Sequence, residues 1–345
     1  MTTPHPPSIL RFGIVGTGMI ASVVANAIAK SKNARLVAVS SRRLENALSF
    51  VSERSGTEAV QGVEALLGRA DIDALYLAIP TSAKEEIALA AIAAGKHVLV
   101  DKPFLNASSV QRISQAAETA GVLFMDATHF VHHPRTAAIR QAIPKLIGSP
   151  RSLHTAFYFP ISDSSNIRFD PTLEPTGALG DMAWYSMRAV VEYLQPQGKI
   201  TKAVLVPEHY PNTGAVIRVS GLIAFETGEA STFDAGFTAG TALLDLQLLG
   251  THGVLSMDDF VLNWSDSFAF NHTDIPTGYF HRSGMATRAD ISFIPSPSHT
   301  AQEVLMIETF ATLSTGEHQL ERAHFAEASL RTQEYLDALR ASSNF

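Results

Sequence analysis

Gly13-Ile14-Val15-Gly16-Thr17-Gly18-Met19-Ile20-Ala21 places a glycine pair between an apolar run and a helical pattern. Phe12 to Val15 reads as a strand and Met19 to Lys30 as a helix, so the glycines fall in the turn that joins them. In that context the GxGxxA spacing has a mechanical meaning. Gly16 permits the tight turn, Gly18 lets a pyrophosphate approach the backbone, and Ala21 lets the helix lie close to the strand. The phosphates would face the unpaired N–H groups at the helix start. Gly16, Thr17, Gly18, Met19 and Ile20 are therefore expected to line a dinucleotide. A glycine triplet alone also suits an ordinary turn; its place between strand and helix carries the reading.

Outward from this stretch, apolar runs alternate with helical patterns. Leu36 to Ser40, Ala74 to Ile79, Val98 to Val100 and Val122 to Met125 read as strands, with helices at Ala83 to Ala93 and Ser108 to Ala120. Such alternation is the signature of βαβ units and a parallel sheet. After Asp126 the pattern changes to successive strand-like segments, among them Leu153 to Phe159, Val216 to Phe225, Ala230 to Phe237 and Leu243 to Leu249. Strands without intervening helices predict a mostly antiparallel sheet. A helix starting near Asp181 interrupts them, and Phe325 to Leu339 reads as a terminal helix. The expected organisation is a dinucleotide-binding α/β domain over 1–126 and an α+β domain for substrate and oligomerisation over 127–345.

The second strand runs into Ser40-Ser41-Arg42-Arg43 and carries no acidic residue to hold a ribose 2′-hydroxyl. A Ser41 hydroxyl and the Arg42 guanidinium suit a 2′-phosphate instead, through charge-assisted hydrogen bonds, so NADP is expected in preference to NAD. Arg43 either helps or opens the next helix on its solvent side. Ile79-Pro80-Thr81 ends the strand after the crossover and is expected to brace the cofactor, although a proline there also serves as a plain chain stop.

Asp101-Lys102-Pro103 follows the short apolar strand Val98-Leu99-Val100. Lys102 thus emerges at a strand's carboxyl edge, where open α/β sheets bind their ligands. A second constellation is Thr176-Gly177-Ala178-Leu179-Gly180-Asp181-Met182-Ala183-Trp184-Tyr185. With Asp181 as the N-cap of a helix, Tyr185 would lie on the same face one turn further on, and carboxylate and phenol would share one space. The plain alternative is a capping Asp and a packed Tyr with its hydroxyl satisfied.

The GTGMIA turn, the GKHVLVDKP stretch and the GALGDMAWY loop occur in an order and spacing that resemble the Gfo/Idh/MocA oxidoreductases across almost the whole chain, and Leu249-Gly250-Thr251-His252-Gly253-Val254-Leu255 is similar to that family's strand-turn-strand element. The resemblance implies a Rossmann domain, an α+β domain with a large open sheet, and pyridine-nucleotide oxidation or reduction of sugars, polyols, diols and related carbonyls. Two departures stand out. The family's usual Glu-Lys-Pro is Asp101-Lys102-Pro103 here, and Tyr185 stands where many inositol-dehydrogenase-like members carry histidine. Tyrosine at that place resembles the glucose–fructose oxidoreductase, dihydrodiol dehydrogenase and xylose dehydrogenase branch, often NADP-linked. For that branch the resemblance implies Tyr185 as acid/base, Lys102 as the cation that favours its phenolate, and Asp181 as a group that binds a substrate hydroxyl or orients Lys102. It also implies a homodimer or homotetramer, formed through the open sheet.

Around this core, Arg168 in Asn166-Ile167-Arg168-Phe169 is expected either at the substrate rim or anchoring the glycine loop. One of His132 and His133 is a candidate for the pocket lining, with His133 preferred, and Trp184 either stacks on a sugar face or packs in the core. His97 reads as a satisfied structural residue. Adjacent histidines lack the i, i+4 spacing of a zinc helix, so no metal is expected.

The 345 residues, 46% hydrophobic, suffice for a sizeable core. A formal charge of −7 gives no basic footprint for nucleic acid or an anionic membrane. The absence of cysteine excludes disulfides and thiolate chemistry. No GxSxG elbow, GxxxxGK[ST] loop or HExxH helix occurs, so hydrolase, kinase and zinc-protease mechanisms lack their parts. Met1-Thr2-Thr3-Pro4-His5-Pro6-Pro7 shows no charged region leading into an apolar stretch, and a cytoplasmic protein is expected. A nucleotide-binding sensor without turnover is the competing function; retention of Lys102, Asp181 and Tyr185 together favours an enzyme.

Overall fold

A computed structural model describes residues 9–343; the opening stretch Met1 to Pro7 lies outside them. The chain forms two compact units, neither of them a single stretch. The first takes the chain up to Lys102, Ser108–Thr128 and Gln302–Ser329; the second takes Pro103–Ala107, His129–Ala301 and the chain from Leu330.

The first unit is built on six strands: β1 (Leu10–Val15), β2 (Ala34–Ser41), β3 (Glu58–Gln61), β4 (Ala74–Leu77), β5 (His97–Val100) and β6 (Phe124–Asp126). Their order is β3-β2-β1-β4-β5-β6, with every neighbouring pair parallel. The order reverses between β1 and β4, which makes a switch point at the strands' carboxyl ends, where doubly wound sheets bind ligands. Continuous burial of Ala74, Leu75, Tyr76 and Leu77 marks a strand covered on both faces, as parallel sheets require.

The division of the chain at Asp126 leaves out a later return. Helix Gln302–Leu313 belongs to the nucleotide unit, where the Phe310 ring lies 5.5 Å from that of Phe12 and both are fully buried. Asn33 Nδ2 fixes the helix by donating to the Glu308 carbonyl at 3.0 Å.

The second unit carries β7 (Pro150–Tyr158), β8 (Ile200–His209), β9 (Val216–Phe225), β10 (Ala230–Gly236), β11 (Leu243–Gly250), β12 (Gly253–Met257), β13 (Gly278–Ser283) and β14 (Ser292–Pro295). Their order is β14-β13-β12-β11-β7-β10-β9-β8, and all pairs are antiparallel except β7 with β10. In β11, Leu244, Leu246 and Leu248 are buried while Asp245, Gln247 and Leu249 are exposed, the period-two pattern of a sheet with one covered face. The segments Gly177–Asp181 and Ala183–Ala189 cover that face over β7, β9 and β10.

One expectation about this cover is corrected. Asp181 does not cap a helix that contains Tyr185. It is the last residue of the short helix Gly177–Asp181, and a separate helix begins at Ala183. The Asp181 carboxylate pairs with the Arg168 guanidinium. The second helix then passes into a π turn at Val190–Leu194 and stops at Gln195 in the left-handed region.

Candidate functional site

In the nucleotide unit, Gly16 follows β1 with φ +109°, and a Cβ there would run into the carbonyl oxygen of Ala78. Only glycine fits without strain. Its N–H donates to the Ser40 carbonyl at 2.9 Å, which ties the turn to β2. Gly18, by contrast, has φ −77° and open space where a Cβ would point. It is the N-cap of helix Met19–Lys30, so the first N–H groups and the positive end of a twelve-residue helix face outward without a capping side chain. Thr17, Gly18, Met19, Ser22, Asn46, Ser49 and Phe50 line a hollow of about 450 Å³ there. Exposed amides, a backbone free of Cβ and a polar wall fit the phosphates of a dinucleotide.

Arg54 stiffens this wall and was not signalled by any sequence motif. Its guanidinium donates to Ser22 Oγ at 2.7 Å and to the Phe50 carbonyl at 2.5 Å, and lies 4.2 Å from the Phe50 ring centre. Ser41 closes β2, and its carbonyl accepts the Gly62 N–H. Arg42 is exposed; Arg43 caps the helix Leu44–Val51 and shares its charge with Glu45 at 3.6 Å.

The turn after β4 runs through Ile79 and Pro80 into a 3-10 turn at Thr81–Ala83. Thr81 is buried, and so is Lys84. Lys84 Nζ donates to Thr81 Oγ1 at 3.3 Å and to the Lys102 carbonyl at 2.9 Å. The Asp101 N–H donates to the Leu77 carbonyl at 3.1 Å. One buried ammonium thus joins the two turns that follow β4 and β5, and the Lys102 side chain, 8% exposed, starts from a fixed backbone. No spacing or motif pointed to Lys84. His97, at the start of β5, accepts the Leu123 N–H at 2.8 Å, and burial, helped by Arg322, lowers its pKa to about 4.

In the sheet unit, Tyr185 is buried on the third residue of its helix. Its ring meets Phe157 edge-on at 5.1 Å and Phe130 at 6.2 Å. Its hydroxyl lies 3.1 Å from His129 Nε2. His129 stands in a 3-10 turn at His129–His132, and its ring meets Phe268 edge-on at 5.9 Å. Sequence reasoning passed over His129, because a contact across 56 positions leaves no local pattern. Arg168 pairs with Asp181 and lies 5.9 Å from the Phe237 ring centre, and its turn is capped by Asn166.

His133 and Trp184, weighed as substrate contacts, have partners within the unit. Trp184 is fully buried against Phe104, with ring centres 5.7 Å apart, and belongs to the core. His133 is buried too: its Nδ1 accepts the Arg135 N–H at 3.0 Å as the N-cap of helix Pro134–Leu146. Burial, with Arg135 adding to it, lowers the His133 pKa to about 3, so the ring is a neutral cap. Among the described residues there is no cluster of His, Asp or Glu that could hold a metal, and no helix long and apolar enough to cross a membrane.

Residues 10–128 match the model of the oxidoreductase family with an NAD-binding Rossmann fold, Gfo/Idh/MocA. A dTDP-3,4-didehydro-2,6-dideoxy-alpha-D-glucose 3-reductase of Streptomyces antibioticus is 33% identical over 257 residues, covering 73% of this chain and 76% of the relative. The D-xylose 1-dehydrogenase (NADP(+)) 2 of Haloferax volcanii is 27% identical over 231 residues, 66% of this chain and 70% of that protein. Among solved structures, the 3-ketoreductase KijD10 of Actinomadura kijaniata, in complex with NADP and TDP-benzene, superposes with a TM-score of 0.85 at 26% identity, over 97% of this chain and 98% of that one. The glycine turn, the doubly wound sheet and these likenesses agree, and the chain belongs to the Gfo/Idh/MocA family of oxidoreductases.

Proposed function

We propose that the protein is an NADP-dependent oxidoreductase that moves a hydride between the nicotinamide and a carbon of a sugar, polyol or diol bearing the reacting oxygen. The observation that carries this reading is the Tyr185 phenol, buried among aromatic rings with its hydroxyl on His129. A phenol so held is a proton donor and acceptor of defined orientation. The NADP-linked xylose dehydrogenase and the ketoreductase solved with NADP support the cofactor and the substrate class.

Bound NADP supplies the hydride in reduction or receives it in oxidation. The chain does the rest. Gly16, Thr17, Gly18, Met19 and Ile20 hold the pyrophosphate on uncapped amides, Ser41 and Arg42, with Arg43 beside them, hold the 2′-phosphate, and the turns at Ile79, Pro80, Thr81 and Asp101 brace the nicotinamide side. Tyr185 gives a proton to the reacting oxygen in reduction and takes one in oxidation. The family resemblance assigns Lys102 the part of polarising that oxygen and favouring the phenolate, since a cation beside a phenol stabilises the negative form. Asp181, paired with Arg168, presents a carboxylate and a guanidinium to substrate hydroxyls. The enzyme works in the cytoplasm as a homodimer or homotetramer, in which the exposed Val206, Leu249 and Phe280 of the open sheet meet a second copy.

Fluorescence titration with NADP⁺ and NAD⁺, followed by absorbance of the reduced cofactor over a panel of aldoses, polyols and diols, tests the reading. The expected result is tighter binding of NADP⁺, turnover of at least one class, and loss of turnover in Tyr185→Phe with cofactor affinity kept. Equal turnover of Tyr185→Phe and the parent rejects the acid/base assignment; binding without any turnover points to a sensor.

A further inference from the structure

Resting on that reading, we infer that His129 is a positioning residue for Tyr185 that also resupplies its proton. The phenol oxygen and His129 Nε2 are 3.1 Å apart, within hydrogen-bond distance, and both side chains are more than nine-tenths buried. Their ring centres are 5.6 Å apart. Aromatic rings pack on the pair: Phe130 from the same 3-10 turn, Phe157 from β7, and Phe268 from the segment between β12 and β13. The charged groups nearest along the chain are Asp126, three residues before His129, which accepts the Thr128 N–H at 2.9 Å, Asp181, four residues before Tyr185, which is paired with Arg168, and Arg188, three residues after it, which is paired with Glu192. Burial strengthens the hydrogen bond and raises the cost of leaving either partner unmet. It also fixes the phenol's rotor, so the hydroxyl presents the same lone pair and the same proton in each turnover.

The step balances as follows. In reduction the Tyr185 O–H bond breaks and its proton bonds to the substrate oxygen as the carbon receives the hydride. The imidazolium Nε2–H of His129 then breaks, its proton restores the phenol, and the neutral imidazole regains a proton from water. In oxidation the same transfers run backwards. The consequence is that the acid limb of turnover follows an imidazole as well as a phenol.

Two readouts test this. The first does not require turnover: ¹⁵N-histidine NMR of the intact protein follows the His129 ring against pH, in the parent and in Tyr185→Phe. Removal of the phenol oxygen is expected to move the Nε2 resonance and its titration midpoint; an unmoved His129 overturns the coupling. The second is kinetic. His129→Phe keeps an aromatic ring and removes the nitrogen, and kcat is expected to fall about tenfold or more, with KM for NADP nearly unchanged and the imidazole limb gone from the pH profile. His129→Gln restores a hydrogen bond but not the titration, and is expected to recover part of kcat with a flat acid limb. Parent-like kcat and pH profile in both variants overturn the proposal. A parent protein that binds NADP and turns over none of the panel fails the underlying reading, and the NMR comparison then decides the coupling by itself.

Discussion

Lys84 Nζ donates to the backbone carbonyl of Lys102 at 2.9 Å, so the lysine proposed to act on substrate is held by a second, buried lysine eighteen positions earlier. The same ammonium reaches Thr81 Oγ1 and thereby couples the turn after β4 to the turn after β5. A buried cation costs desolvation unless it is well bonded, and carbonyl and hydroxyl oxygens meet that need here. Lys84→Met leaves the Lys102 carbonyl without this donor, a loss of about 1–3 kcal/mol that relief from burying a charge partly offsets. The expected outcome is a modest fall in the urea midpoint with a larger fall in kcat than in NADP affinity. Parent-like kcat would show that the Lys102 backbone holds its place without the clamp.

Gly16 and Gly18 predict opposite outcomes for the same substitution. Gly16→Ala forces a Cβ against the Ala78 carbonyl at φ +109°, and the strain alone is on the order of 1–3 kcal/mol. It is expected to lower the thermal midpoint and to weaken cofactor binding with it. Gly18→Ala puts a methyl group into open space at φ −77°, so folding stability stays within about 1 kcal/mol of the parent. The methyl group would occupy the path of the pyrophosphate, so NADP affinity falls by tenfold or more. Calorimetry and fluorescence titration of both variants separate the two effects.

These glycines were legible because a strained turn and an open one leave their mark on residue type, and the strands around them because burial on both faces leaves continuous apolar runs. Other features depend on partners far along the chain. The short edge strand β3, Glu58–Gln61, has exposed polar ends and reads as loop. Helix Gln302–Leu313 is apolar enough to serve either unit, and only the fit of Phe310 to Phe12 assigns it. Asp181 looked like a cap because Arg168, thirteen residues earlier, is invisible as its partner until the loop folds. For His133 and Trp184 residue type leaves more than one role open; in the fold one accepts a backbone N–H and the other packs on Phe104. His129 and Lys84 escaped for the same reason: each acts through one long-range bond.

Arg42 sets the expected choice of cofactor. It is exposed beside the Ser41 end of β2, and Arg43 next to it is partly neutralised by Glu45. A charge-assisted bond to a 2′-phosphate is worth about 1.5–3 kcal/mol. Arg42→Ala is therefore expected to weaken NADP⁺ binding by roughly ten- to a hundredfold and to leave NAD⁺ binding unchanged. Ser41→Asp adds repulsion against the phosphate and a partner for a ribose hydroxyl, which reverses the preference. Titrations with both cofactors check this; an equal loss for both would place Arg42 away from the 2′-position.

Acid sensitivity follows from His133. Its folded pKa of about 3 lies below the ordinary 6.5 because burial, reinforced by Arg135, disfavours the charged ring. Between those values the unfolded chain binds a proton that the folded one refuses. The stability contribution is therefore complete above pH 6.5 and is lost as pH falls toward 3, at about 1.4 kcal/mol per pH unit. His97, lowered to about 4 by burial and Arg322, adds a slope of the same sign over a narrower range. His133→Asn keeps a side chain able to accept the Arg135 N–H, since asparagine is a strong N-cap, and removes the titration. Urea unfolding at pH 7, 6 and 5 is expected to show a shallower fall for the variant than for the parent, with His97 left to account for the remaining slope. Identical slopes in the two proteins would mean that His133 takes up its proton in the folded state, with the helix cap released.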